Sequence, residues 1–132
     1  MLKLLKNSWA LFAGILIMMV AHGLQANLMG VRSVIENFNV VTTGIFMSGY
    51  YVGYFFGSYT TPILISKVGH IRVFAAFASM ASLSVLIVVV FINPVVWTIA
   101  RFITGLSLVS CFIVAESWLN DRATNKNRGQ LL

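Results

Sequence analysis

Ser66-Lys67-Val68-Gly69-His70-Ile71-Arg72 is a short basic turn set between two long apolar runs, and it carries the only charges between Val40 and Ala100. Each flanking run is long enough to form a helix across a hydrocarbon core of about 30 Å, which takes about 20 apolar residues. A hydrated turn with three basic-type side chains lies between two such runs only at a membrane surface, and the positive-inside rule assigns it to the cytoplasmic one. That placement orders the rest of the chain.

Composition agrees. Of the 132 residues, 59% are hydrophobic and 9% charged, too few charges for a soluble globule of this size. The formal net charge of +6 does not point to nucleic acid, because the nine Lys and Arg are scattered between apolar segments and form no continuous basic stripe. They suit lipid headgroups instead. The single cysteine, Cys111, excludes an internal disulfide and a Cys/His metal site, and its apolar setting marks a packing residue. There is no GxSxG, P-loop, HExxH or paired-carboxylate constellation, so the chain is not expected to be an enzyme, and no metal or cofactor is implied.

Working outward from the turn, the sequence predicts an all-α membrane protein with four transmembrane helices, at residues 9–30, 41–64, 71–92 and 95–118, with a cytoplasmic loop at 65–70 and a cytoplasmic tail at 119–132. The start imitates a signal peptide, with Lys3 and Lys6 before an apolar run, but Ala21-His22-Gly23 is a poor cleavage site and the first span is expected to stay in place. Between spans one and two, Arg32 and Glu36 cancel. Counting charges with the N-terminus inside puts Lys3, Lys6, Lys67, Arg72, Arg122, Lys126 and Arg128 on the cytoplasmic side against Arg32 alone outside. Both termini are therefore expected in the cytosol. Trp9, Trp97 and Trp118 fall at the expected span ends, where indoles favour the headgroup layer.

Span two carries Gly49, Gly53 and Gly57 at spacings of four, a helix face along which another backbone can approach closely. Tyr50, Tyr51 and Tyr54 beside it either line a pore or fill space between helices. The residues costliest to place in lipid are Arg101, His22 and Gln25. Arg101 lies six residues, about 9 Å, from the outer end of span four; His22 lies about 12 Å and Gln25 about 7.5 Å from the outer end of span one. Their similar depths let the three face one polar cavity. An Arg at that depth costs about 2.5–3.5 kcal/mol on insertion scales, so it faces a partner, a cavity or the headgroups. Two readings stay open: Arg101 supports an anionic substrate group or a proton pathway with His22 as titratable neighbour, or it snorkels while His22 bonds between helices. Glu116 is expected at the inner surface, within reach of Lys67, His70 and Arg72, either as a clip between helices or as a solvated carboxylate.

Residues 57–73 resemble the loop between helices two and three of major facilitator superfamily transporters: Lys67 and Gly69 match, Ser66 stands at the family's Asp, His70 replaces a basic residue and Arg72 comes one place later. Arg101-Phe-Ile-Thr-Gly105 resembles the fourth-helix Arg motif of that family. With Gly23-Leu24-Gln25, Leu28 to Arg32, Glu116-Ser117-Trp118-Leu119-Asn120 and Asn127-Arg128-Gly129, the chain looks like the YcaD-like group of bacterial facilitator-type transporters. The resemblance implies a twelve-helix transporter of the bacterial inner membrane in which two six-helix halves rock about a small solute, often with proton coupling, and a gating role for Ser66, Lys67, Gly69, His70 and Arg72. By it, the 132 residues correspond to helices one to four of an N-terminal half, whose partners are the remaining helices of the same transporter. Alternating access needs a second bundle across the substrate site, so this stretch is not expected to transport alone. Two other readings remain: a small four-helix dimeric exporter or channel, against which stand the missing Glu in span one and the strong charge bias, and a non-transporting membrane subunit that docks through its glycine and alanine faces.

Overall fold

The computed structural model describes residues 2–122 as five helices: α1 (Leu2–Asn7), α2 (Trp9–Ile35), α3 (Val40–Val68), α4 (His70–Val90) and α5 (Pro94–Arg122). Residues 123–132, with Lys126, Arg128 and most of the expected tail, lie outside the described residues. Among the described residues there is no strand. The protein is all-helical, and α2, α4 and α5 are each long and apolar enough to cross a membrane. α3, with 29 residues, has the length, but its glycines, threonines and tyrosines dilute its apolar character.

The helices run beyond their expected limits. The loop expected at 31–40 shrinks to 36–39, and the loop expected at 65–70 shrinks to Gly69. Polar residues at a membrane surface do not break a helix by themselves; what breaks it is backbone chemistry. At Gly69, φ is +92° and ψ 166°, a conformation essentially restricted to glycine, and its N–H still donates to the Ile65 carbonyl at 2.9 Å. Just past the end of α2 lies Asn37, the one described non-glycine residue with positive φ (59°). The Phe38 N–H donates to the Ser33 carbonyl (2.8 Å) and the Asn37 N–H to that of Val34 (3.1 Å), a Schellman closure. Asn39 then caps α3 by accepting from the Val41 N–H, and Asn93 accepts from the Val95 N–H with Pro94 opening α5.

Packing reveals the directions of the helices. Gly49 lies against Thr98, Gly53 against Phe102 and Leu106, Gly57 against Leu106 and Val109, and Thr61 against Ser110, so the numbers rise together and α3 runs parallel to α5. Ser84 meets Thr104, Phe74 meets Cys111 and His70 meets Ser117, so α4 runs antiparallel to α5. α5 is the hub. At the α3/α5 crossing, a methyl group on Gly53 would collide with the Phe102 carbonyl, and one on Gly105 would collide with the Tyr50 carbonyl; backbone touches backbone from both sides. Two buried hydroxyl pairs flank the crossing, Thr61 with Ser110 (2.7 Å) and Ser84 with Thr104 (2.8 Å). Hydroxyls facing outward bond carbonyls of their own helix too, as Ser48 does to Gly44 and Ser79 to Ala75, which satisfies them without water.

Trp97 departs from the expected headgroup position. It is 1% exposed, its indole N–H donates to the Phe91 carbonyl at 2.8 Å, and its ring meets Phe38 and Phe46 edge-on beside Met29. With its polar atom satisfied inside the protein, the indole has no need of the interface. Trp9, 69% exposed, keeps an outward position.

Replacing Gly53 by Ala is expected to destabilise the protein by roughly 1–3 kcal/mol through overpacking, whereas Gly44→Ala, where a methyl meets nothing within 4 Å, should be neutral or stabilising by up to about 1 kcal/mol. Thermal unfolding in detergent, followed by circular dichroism, reads the difference.

Candidate functional site

The close approach of α3 and α5 places Tyr50 where three elements meet. Gly49 lets the α5 backbone come in beside Arg101, whose Cβ would lie 3.7 Å from a methyl on that glycine. The Arg101 guanidinium turns onto the Tyr50 ring, its Cζ 4.9 Å from the ring centroid, a cation–π geometry. From α2, the His22 imidazole stacks on the same Tyr50 ring, with centroids 4.7 Å apart and planes inclined by 19°. Tyr51 and Tyr54 extend the aromatic group at 5.4 and 6.0 Å.

Several polar atoms here are buried without a hydrogen-bond partner: Arg101 Nε and Nη1, His22 Nδ1 and Gln25 Nε2. Arg101 is 4% exposed and Gln25 8%. A buried cation normally has a carboxylate beside it, since an uncompensated charge in low dielectric is costly. The chain has three acidic residues, and none of them is near: Glu36 holds Arg32 at 2.9 Å, Asp121 lies near His70, and Glu116 is exposed. Chemically, the group offers N–H donors and positive charge to an acceptor and an aromatic face to an apolar body. His22 and Gln25 also line a chamber of about 190 Å³ between α2, α4 and α5, with Ser82 and Thr104 on its far side. Arg101 is outside that wall and adjoins it through Tyr50 and His22.

At the other end of the helices, the residues of the basic turn take separate positions. Ser66 donates to the Ile63 carbonyl of its own helix, and Lys67 and Arg72 are exposed. His70 Nε2 lies 2.8 Å from the Ser117 hydroxyl and 3.7 Å from Asp121 Oδ2, which joins the start of α4 to the end of α5. Glu116, expected as the charge partner of this turn, makes no ion pair among the described residues, and Asp121 holds the place beside His70. The helical repeat explains it: Ser117 and Asp121 are four apart and share a face, while Glu116 is turned about 100° from Ser117. Gly49, Gly53, Gly57 and Gly105 all lie in the α3/α5 contact.

With this geometry established, the chain can be compared with known proteins. A family model described as sugar (and other) transporter matches residues 8–132. The chain belongs to that family. It is therefore a membrane transport protein of the major facilitator type, from a family of transporters rather than enzymes. No curated protein and no solved structure matches the chain.

Tyr50 is the site residue that sequence reasoning left open between lining a pore and filling space between helices. Its signal was positional: it directly follows Gly49, the first residue of the glycine face, yet only the register between α3 and α5 shows that Arg101 ends above its ring. Replacing Tyr50 by Leu is expected to remove roughly 1–2 kcal/mol of stability with the stack and the cation–π contact, and Tyr50→Phe to retain most of it. Equilibrium unfolding of the two variants in one detergent checks this.

Proposed function

We propose that the chain forms part of the solute pathway of a secondary transporter of the YcaD-like group, working by alternating access, and that Arg101, Tyr50, His22 and Gln25 form the wall that meets an anionic group of a small solute. The observation that carries this reading is the Arg101 guanidinium, buried, unaccompanied by a carboxylate and with two nitrogens lacking a partner. Intramembrane ionisable residues face partners or cavities, and here the partner is the solute. His22, with Nδ1 unpartnered beside the same ring, is the group through which proton coupling would run. The opposing wall is supplied by helices beyond these 132 residues, since alternating access rocks one bundle against another.

α3 crosses the bilayer with the other three long helices. Its support is the parallel contact with α5 from Gly49 to Thr61, which gives it the same depth range as an apolar neighbour. Lys3, Lys6, Lys67 and Arg72 then share one surface, the cytoplasmic face of a bacterial inner membrane, and both chain ends lie there. The Ser66 to Arg72 turn serves as the gate on that face, with His70, Ser117 and Asp121 joining α4 to α5 beneath it.

Two measurements test these statements. In cells, Val40→Cys is expected to react with a membrane-impermeant maleimide from outside, and Lys67→Cys only after permeabilisation; Cys111, fully buried, stays silent. The reverse pattern would overturn the topology. For the site, short carboxylates at 100 times their dissociation constant should stabilise the reconstituted chain by about 2.7 kcal/mol, read as a rise in Tm, with Arg101→Lys showing a reduced rise and Arg101→Ala none. Equal rises in all three proteins would remove Arg101 from the site.

A further inference from the structure

Beside the polar chamber lies a second, larger hollow of about 530 Å³ between α2 and α4, walled by apolar side chains such as Leu28, Val85, Val89 and Trp97. Ala21, Gln25 and Val85 line both spaces, so the two adjoin. Its polar wall residues are few. Arg32 is held by Glu36 at 2.9 Å, and the Trp97 N–H is already given to the Phe91 carbonyl. What remains is Gln25, 8% exposed, with its Nε2 unpartnered at the junction of the two hollows.

We infer that the solute is an amphipathic monocarboxylate, with its head against Gln25 and His22 within the field of Arg101 and its apolar body in the α2/α4 cleft. A sugar is a poor fit: its many hydroxyls would be desolvated against a wall with one free donor, and each buried polar group left unpaired carries a penalty. A single-headed acid brings one polar group to be satisfied instead of many, and the unpartnered Gln25 amide lies where that group would sit. The head satisfies the amide N–H and lies one ring from the guanidinium, and the chain covers apolar surface in a cleft of the size that binds drug-sized molecules. The inference rests on the Arg101 reading above for the charge of the head, and on the cleft alone for the body.

Trp97 in the cleft wall supplies the readout. In a background where Trp9→Phe and Trp118→Phe leave it as the single indole, the chain is reconstituted in phosphatidylcholine vesicles at pH 8 and titrated with 11-bromoundecanoate, whose bromine quenches indole fluorescence on contact; 11-bromoundecanol is the control that enters the same lipid without the charge. Saturable quenching by the acid is expected, at a half-saturating concentration at least about fivefold below that of the alcohol. Gln25→Leu should weaken it about tenfold, the effect of losing a hydrogen bond to a charged group. Ala21→Phe, which fills the junction from an exposed position on α2, should do the same without touching a polar group. Equal, non-saturating quenching by acid and alcohol that neither substitution alters would overturn the inference and make the cleft a lipid-facing groove. If short carboxylates raise Tm through Arg101 while the bromo-acid quenches no better than the alcohol, the amphipathic solute is refuted and the Arg101 site stands. Saturable quenching blocked by Ala21→Phe but unchanged in Arg101→Ala would uphold the cleft and refute the role of the guanidinium.

Discussion

The contact of two backbones at Gly53 and Gly105 is the constraint from which the rest of the fold follows. In lipid, burying apolar side chains gives little drive between helices, because the acyl chains are as apolar as leucine; association depends on van der Waals packing and on polar groups that meet across the interface. Bringing α3 and α5 to backbone contact serves both. It fits the Tyr50 carbonyl over Gly105 and the Phe102 carbonyl over Gly53, and it brings Thr61 and Ser110 within 2.7 Å. Each hydroxyl of that pair also lies 2.6 Å from a carbonyl of its own helix, so two protons serve three contacts and the pair is tied to both backbones. The site inherits this geometry. Arg101 and Gly105 are four apart and share a face of α5, and both meet Tyr50, the glycine under its carbonyl and the guanidinium over its ring. The Arg-x-x-x-Gly spacing is thereby a structural requirement: the glycine sets the distance at which the arginine finds the ring.

α2 obeys a different rule. It buries Gln25, Met29 and Ser33 and leaves most of its length outward. Near its C-terminal end it is held by the aromatic group of Phe38, Phe46 and Trp97 around Met29, and in its middle by the stack of His22 on Tyr50. Between those two points it stands off α4, and the polar chamber and the apolar cleft occupy that gap. A helix with few fixed contacts beside a hub with many is the arrangement from which a binding space arises without a cavity being carved into a packed core.

What could be read from the sequence divides along the same line. The order of the long helices, a turn within Ser66–Arg72 and the glycine face of α3 were legible, because apolar length, turn chemistry and a spacing of four act within one segment. The sequence places His22, Gln25 and Arg101 at similar depths, and the structure brings His22 and Arg101 onto the one Tyr50 ring. Tyr50 as the ring between His22 and Arg101 was not legible, since it depends on the register of α3 against α5. The burial of Trp97 was hidden for a related reason: an indole at a span end looks like an interfacial anchor until Phe91 supplies the carbonyl that frees it from the headgroups. Asp121 rather than Glu116 beside His70 follows from the rotation of α5, which is set by packing against α4 and cannot be counted along the chain. Helix ends were underestimated because polar residues at a surface lower hydropathy without breaking helical hydrogen bonding.

The electrostatics of Arg101 are what the proposed functional account of this residue rests on. A structural arginine in lipid snorkels to the headgroups or pairs with an acid; this one is 4% exposed, and the chain's acids are placed elsewhere. The Tyr50 ring gives it a cation–π contact, which contributes about 2 kcal/mol when desolvated, while the effective penalty for burying an ion is several kcal/mol. The ring therefore orients the guanidinium without balancing it. On the proposed reading, a positive charge that is held in position and left short of its counter-charge is prepared for an anion, because the energy withheld by the protein becomes available on binding. The aromatic shelf adds a condition on that anion. Tyr50 occupies the ring's width between Arg101 and the chamber, so a head in the chamber meets the guanidinium's field across that ring. A head joined to an apolar body gains from the donors at one end and from the cleft at the other.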